Sequence, residues 1–305
     1  MESQWKEQNE IIINEAKTLL STTNSSFVIG AGVSRSANIP EWKNLLKKLI
    51  PEHREKALDA DDYEAITKQL NHSDIRVARY IESAFYSSSK SEMVDKMREI
   101  LYSDAKESPL VNTICDIISN NKKRVESVIT YNYDDLIETG LEKREVGCYP
   151  VFKKNRNDIY QFPVYHVHGF IPKNKDLNAS EIILCEEDYH KIYAQSFHWS
   201  NIEQLHAFNR NTCFFIGLSM NDPNLRRLLE ESFRDSDEEQ HHFIILPRIP
   251  LYQKINIKYD EMKNDTDFSI RESVIHKLGL KIIWYENEDE KHENIVPILK
   301  RIADA

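Results

Sequence analysis

The chain has 305 residues, enough for one large domain or two and for a core that needs no disulfide staples. Hydrophobic residues make up 40% and charged residues 30%, which excludes a disordered or membrane-embedded chain. A net charge of −10 argues against any general affinity for nucleic acid or anionic membrane.

Residues 4–20 predict an amphipathic helix with Trp5, Ile12, Ala16 and Leu19 near one face. Residues 26–29 are a short apolar run ending in Gly30-Ala31-Gly32, the pattern of a buried strand and a tight turn. Residues 42–50 read as a helix stopped by Pro51. A run of helical patterns without strand signal fills residues 61–120, which makes 43–122 a helical insertion or lobe within a single 1–305 domain. Alternation then returns. Strands are expected at 125–130, 162–169, 180–185, 212–219, 241–246 and 280–286. Helices are expected at 134–144, 186–195, 199–209, 222–235 and about 290–303. Asp222-Pro223 opens the fourth of these as an N-cap followed by proline at the first position. Acidic clusters at 235–239 and 286–290 read as solvated loops. Strands separated by helices imply an α/β fold with a doubly wound, mostly parallel sheet.

The N-terminus carries charges inside its apolar run, so no signal peptide is expected, and no stretch approaches the roughly 20 apolar residues of a membrane span. A cytoplasmic location follows as the expectation. Cys115, Cys148, Cys185 and Cys213 form no CxxC pair, which argues against a zinc ribbon. Glycine numbers only 7, about a third of the usual ~7%. Gly30, Gly32, Gly169 and Gly217 all follow short apolar runs, where backbone turns sharply or approaches a ligand.

Four strand-end clusters carry the chemistry. Gly30-Ala31-Gly32-Val33-Ser34 lets backbone N–H groups approach a pyrophosphate, with Ser34 as a further donor. Arg35 stands where a dinucleotide fingerprint has its third glycine, so an ordinary strand–helix turn fits equally. Thr130-Tyr131-Asn132-Tyr133-Asp134 follows the second strand; Asn132 offers two donors and an acceptor for a ribose hydroxyl or a water, and Asp134 fits a helix N-cap as well. In His166-Val167-His168-Gly169 the two histidines share a strand face; His166 reads as structural, and a strand-end histidine serves as a general base. An HxH can also begin a metal site, but no further ligands at later strand ends are convincing. Gly217-Leu218-Ser219-Met220-Asn221-Asp222 repeats the logic of the first cluster, with Asp222 reading as a cap before a catalyst. No GxxxxGK[ST] loop is present.

In this order the set resembles the sirtuin superfamily. GAGVS with Ile39-Pro40-Glu41-Trp42 is similar to that family's GAGxS…GIPxFR, TYNYD to TQNxD, His168-Gly169 to its His-Gly, and Gly217-Leu218-Ser219 to GxS. Between His168 and Gly217 stand only Cys185 and Cys213, so the paired-CxxC zinc module of the protein deacylases is absent. The phrases YNYDDLIE, YHVHG, CEEDYHKIY and FIGLSMNDPNL resemble instead the sirtuin-like NAD hydrolases of bacterial anti-phage defence.

The resemblance implies a Rossmann-like sheet and an NAD+ glycohydrolase that releases nicotinamide and ADP-ribose. It acts as a regulated effector that depletes NAD in infected cells. The alternatives are a deacylase or ADP-ribosyltransferase, and a non-catalytic NAD- or ADP-ribose-binding sensor. Asn132 and His168 are then the catalytic pair. Gly30, Ala31, Gly32, Ser34, Asp134, Gly217, Ser219 and Asp222 line the dinucleotide. NAD+ is the substrate, and no metal is implied. The resemblance leaves no room in 305 residues for a C-terminal sensor. That implies control by homo-oligomerisation, by the helical lobe, or by a separate partner such as a HerA-type ATPase or an Argonaute-like protein, without direct binding of nucleic acid or membrane.

Overall fold

A computed structural model describes residues 2–50, 62–86, 89–154, 161–177, 181–195, 197–234, 242–249, 261–286 and 294–304. In chain order the elements are α1 (Glu2–Thr22), β1 (Ser25–Ile29), α2 (Ala31–Ser36), α3 (Trp42–Leu49), α4 (Asp62–Gln69), α5 (Asp74–Phe85), α6 (Lys90–Tyr102) and α7 (Pro109–Asn120). Next come β2 (Val125–Thr130), α8 (Leu136–Glu142), β3 (Cys148–Val151), β4 (Phe162–His166), α9 (Glu186–Ala194), α10 (Trp199–Arg210) and β5 (Thr212–Ile216). The chain continues through α11 (Pro223–Arg234), β6 (His242–Pro247), α12 (Glu261–His276), β7 (Leu280–Tyr285) and α13 (Ile295–Ala303).

The seven strands form one sheet in the order β3-β4-β2-β1-β5-β6-β7, and every neighbouring pair is parallel. Parallel sheets are covered on both faces, so their central strands are apolar throughout. β1 and β5 are buried at every position. Their side chains alternate between two cores. Phe27, Ile29, Phe214, Ile216, Phe243 and Ile245 face the layer of α1, α7, α8 and α13. Val28, Cys213, Phe215 and Ile244 face the layer of α10, α11 and α12. Phe27, Phe214 and Phe243 stack across three strands at 5.6 Å spacing. The sheet is therefore doubly wound.

A third core joins α3, α4, α5 and α6 through Leu46, Leu49, Ile66, Ile81 and Met97, and closes on Tyr133, Ile171, Ile182 and Leu184 from the connections above the sheet. α7 belongs to the sheet: Ser108 caps it by accepting from Leu110 N–H and Val111 N–H, each at 3.2 Å, with Pro109 in the first turn.

One expected strand is absent, and two elements carried no readable signal. The predicted strand at 180–185 is not a strand over its described residues 181–185. It runs extended, held by Ile183 N–H to the His168 carbonyl at 2.8 Å, with Ile182 and Leu184 buried in the lobe core. β3 carried no clear strand signal because Pro150 interrupts it, which an edge strand tolerates. α12 lacks an apolar stripe strong enough to read. Apart from Glu286, the two acidic clusters lie outside the described residues.

The register places the site. Ile29 lies level with Thr130 on one side and Ile216 on the other, and Thr130 lies level with His166. Residues 30, 131, 167 and 217 thus leave the sheet along one edge. The chain runs from β1 to β2, out to the edge strand β3 and back in to β4, then restarts at β5 on the other flank of β1, so the topological switch falls between β1 and β5. Ligands of open α/β sheets bind outside the strand C-termini at such a point.

Candidate active site

The loops after β1 and β5 pack on each other at this switch. Gly30 N–H donates to the Ile216 carbonyl at 3.0 Å, and Gly32 N–H to the Gly217 carbonyl at 2.9 Å. Gly217 has φ +68°, and a Cβ there would sit 2.6 Å from Val33 N. Glycine thus lets the two loops touch. Ala31 and Ser219 are exposed on this rim, while Gly30 and Ser34 are buried. The segment after α2 also walls a cleft of about 710 Å³ shared with the lobe, lined by Arg35, Ile39, Lys47, Lys48 and Lys96 among others.

Asn132 follows β2 and is anchored to both neighbours. Its Nδ2 donates to the Gly30 carbonyl at 2.9 Å, and its backbone N–H donates to Thr130 Oγ1 at 3.1 Å. Asp134 is buried beneath the first loop: Ser34 Oγ–H donates to its Oδ2 at 2.6 Å, and Leu136 N–H to its Oδ1 at 3.3 Å. Burial pushes the Asp134 carboxyl up to about 6, against the opposing pull of Ser34, Leu136 N–H and His166. The N-cap of α8 is Asp135, which makes no side-chain cap bond, so the carboxylate at 134 serves the turn from one residue earlier.

The two histidines part company. β4 ends at His166, so the alternation expected to keep them on one face stops there. His166 is buried with Glu138 of α8, Nε2 to Oε1 at 2.6 Å. His168 lies between Tyr131 and Tyr189, ring centroids at 4.8 and 5.5 Å and both edge-on. Its Nε2 stands 3.3 Å from Asp222 Oδ2. Gly169, at φ +105°, makes the turn that lets the 181–182 backbone pass alongside, where a Cβ would meet the Glu181 carbonyl at 2.5 Å.

Asp222 is both cap and site residue. Leu225 N–H donates to its Oδ1 at 2.7 Å, and Tyr189 Oη–H donates to its Oδ2 at 2.9 Å. Burial alone would raise this carboxyl; His168, Leu225 N–H and Tyr189 outweigh it and hold it below the usual carboxylate range. The result is a buried histidine oriented by an ionised aspartate, the arrangement of a general base and its partner. Tyr131, Tyr189, His166 and Glu138 were not among the expected site residues. Their partners lie far away in sequence, so spacing carries no signal for them. Among the described residues no group of three or more His, Cys, Asp or Glu could hold a metal ion.

The SIR2-like domain family matches residues 126–270. That match contains Asn132, Asp134, His166, His168, Tyr189, Gly217, Ser219 and Asp222, and the Gly30–Ser34 loop precedes it. The chain is 27% identical over 232 residues to a protein named NAD(+) hydrolase ThsA from Cytobacillus dafuensis, covering 72% of this chain and 40% of that one. It is 24% identical over 302 residues to a protein of the same name from Enterococcus faecium, covering 96% of this chain and 58% of that one. This chain therefore spans about half the length of the curated relatives it matches. A structure solved in work on the mechanism and regulation of Sir2 enzymes aligns with a TM-score of 0.42 and 12% identity, over 95% of this chain and 97% of that one. No helix of the described residues is long and apolar enough to cross a membrane.

Proposed function

We propose that this chain is an NAD+ glycohydrolase that cleaves the nicotinamide–ribose bond with water as acceptor. The observation that carries the reading is buried His168 beside half-buried Asp222, 3.3 Å apart, at the strand-end edge that also holds Asn132 and the Gly30–Ser34 loop. Relatives named NAD(+) hydrolase support the same chemistry. Nicotinamide is a cationic leaving group and departs neutral without an acid. The site must then fix the ribose, stabilise an oxocarbenium-like transition state and activate the nucleophile.

Asn132 donates one amide proton to Gly30, which leaves a second proton and Oδ1 for a ribose hydroxyl or the attacking water. The C1′–N bond breaks, the water oxygen bonds to C1′, and His168 takes the water's proton. With Nε2 turned to Asp222, Nδ1 is the accepting nitrogen. The Gly30–Ser34 loop holds the pyrophosphate, with Ala31 at its exposed tip, and Gly217 and Ser219 face the adenosine side. Asp134 supports the first loop through Ser34. The absence of any CxxC pair, and so of the zinc module that helps shape an acyl-lysine cleft, supports water over a peptide acceptor. We further assign the chain to anti-phage defence by NAD depletion, held in check by self-association or by a separate partner protein.

NAD+ turnover by the purified chain, alone and with candidate partners, tests this, with nicotinamide, ADP-ribose and cyclic ADP-ribose resolved. Asn132→Ala and His168→Ala are each expected to abolish turnover while unfolding at the wild-type temperature. Binding of NAD+ without turnover under every condition would replace the hydrolase reading with a sensor.

A further inference from the structure

The buried pair behind Asn132 has no part in the chemistry just described. His166 is 1% exposed and Glu138 6%. Phe170 lies against the imidazole at a centroid distance of 4.4 Å and Phe152 stacks on Phe170, so the ring is sealed on the side away from the strands. Each ring nitrogen faces an acceptor. Nε2 meets Glu138 Oε1 at 2.6 Å, and Nδ1 meets the Asn132 backbone carbonyl at 3.2 Å. A carbonyl only accepts, so Nδ1 carries a proton. The second proton lies along the Nε2···Oε1 contact, and the pair stays neutral as a unit, which is how a carboxyl and an imidazole can share a buried site. Glu138 Oε2 is buried and finds no hydrogen-bond partner, so the ring is the only hydrogen-bond partner of this side chain among the described residues.

We propose that Glu138 and His166 are a positioning pair for Asn132: Glu138 orients the ring, and Nδ1–H fixes the Asn132 carbonyl. Asn132 sits just past the end of β2, outside the sheet's own ladder. Its N–H is held by Thr130, its side chain by Gly30 and its carbonyl by His166, so three contacts set where its free amide edge points. The assignment rests on the NAD-cleavage reading for its effect on rate, but not for its effect on the position of Asn132.

Two isosteres separate the two ends of the ring. His166→Asn keeps an amide donor near the Nδ1 position; His166→Gln reaches toward Glu138 and loses the donor to Asn132. We expect His166→Gln to lower kcat about 10²-fold with little change in KM for NAD+, because misplacing a reacting group by about 1 Å costs that much, and His166→Asn to retain most turnover. The Asn132 side-chain amide resonance, followed in asparagine-selective ¹⁵N-labelled protein, should shift in His166→Gln and stay in place in His166→Asn. Glu138→Leu, which leaves the ring unoriented, should behave as His166→Gln; Glu138→Gln, whose amide donates to Nε2, should behave as wild type. An unshifted Asn132 resonance in folded His166→Gln or Glu138→Leu overturns the proposal. So does equal loss of turnover and of thermal stability in His166→Asn and His166→Gln. A wild-type chain that does not cleave NAD+ defeats the proposed function alone, because the resonance reports the positioning without turnover.

Discussion

At position 222 one carboxylate serves two elements, with Oδ1 on the first turn of α11 and Oδ2 toward His168 and Tyr189. In the sequence, cap and catalyst stand as alternatives for Asp222, but a carboxylate has two oxygens and the fold uses both. Asp222→Asn tests the division, since asparagine caps a helix about as well as aspartate. Its unfolding free energy should stay within about 0.5 kcal/mol of wild type while turnover falls about 10²-fold or more. Calorimetry beside steady-state kinetics measures both, and undiminished turnover would leave Asp222 as a cap only. Asp134 gives a pH signature. Its folded pKa of about 6 lies above the 3.8 of a free carboxyl, so between these values the native state binds more protons than the unfolded one. Stability from this group is therefore full below about pH 4 and is lost as pH rises through 6. Asp134→Asn removes the titration, and its stability relative to wild type should rise by about 2 kcal/mol from pH 4 to pH 7 in urea denaturation.

At the scale of elements, the β1 and β5 connections act as one unit because glycines let them touch. The GAG pattern was legible as a strand-end turn, and a close approach to something was expected of it. The structure shows that part of what it approaches is the second glycine loop. Gly217→Ala places a Cβ at 2.6 Å from Val33 N in a left-handed conformation. The expected cost is about 2 kcal/mol or more, with weakened NAD+ binding because the Gly30–Ser34 loop is displaced. Thermal unfolding and titration calorimetry check the two effects. The strands buried on both faces were readable because their apolar runs are short and continuous. The run expected at 180–185 looked the same, but its Ile182, Leu184 and Cys185 are buried in the lobe core, and Ile183 is held by single hydrogen bonds in place of a ladder. An apolar run reports burial, and only the partner decides whether a strand forms.

Across the whole molecule, the lobe of α3–α6 reaches the strand-end edge of the candidate site through a few polar contacts. Tyr102 Oη–H donates to the Ile171 carbonyl at 2.8 Å and accepts from Asp135 N–H at 3.0 Å. Arg98 Nε–H donates to the Pro172 carbonyl at 2.9 Å, and Lys173 N–H to Asp135 Oδ2 at 2.8 Å. The segment so held begins two residues beyond Gly169, so the placement of His168 depends on the lobe. Tyr102→Phe removes the hydroxyl and leaves Asp135 N–H without its partner. It should cost about 1–2 kcal/mol and raise amide exchange at residues 171–173 ahead of the sheet. Hydrogen exchange resolved by segment measures this. Exchange that rises evenly over the chain would show that Tyr102 supports the fold at large and not this connection.

The sequence by itself determined the alternation of strands and helices and the polar clusters at strand ends, Asn132 and His168 among them. These are local signals: apolar runs, turn glycines and polar residues directly after a buried strand. Tertiary structure alone decided which of them meet. Parallel register brings four strand ends level, and the switch between β1 and β5 sets two glycine loops against each other. The end of β4 sends His166 to Glu138 and His168 to Asp222. No spacing rule contains these pairings, because each joins side chains from different elements whose approach is fixed by the packing of the sheet between its helical layers.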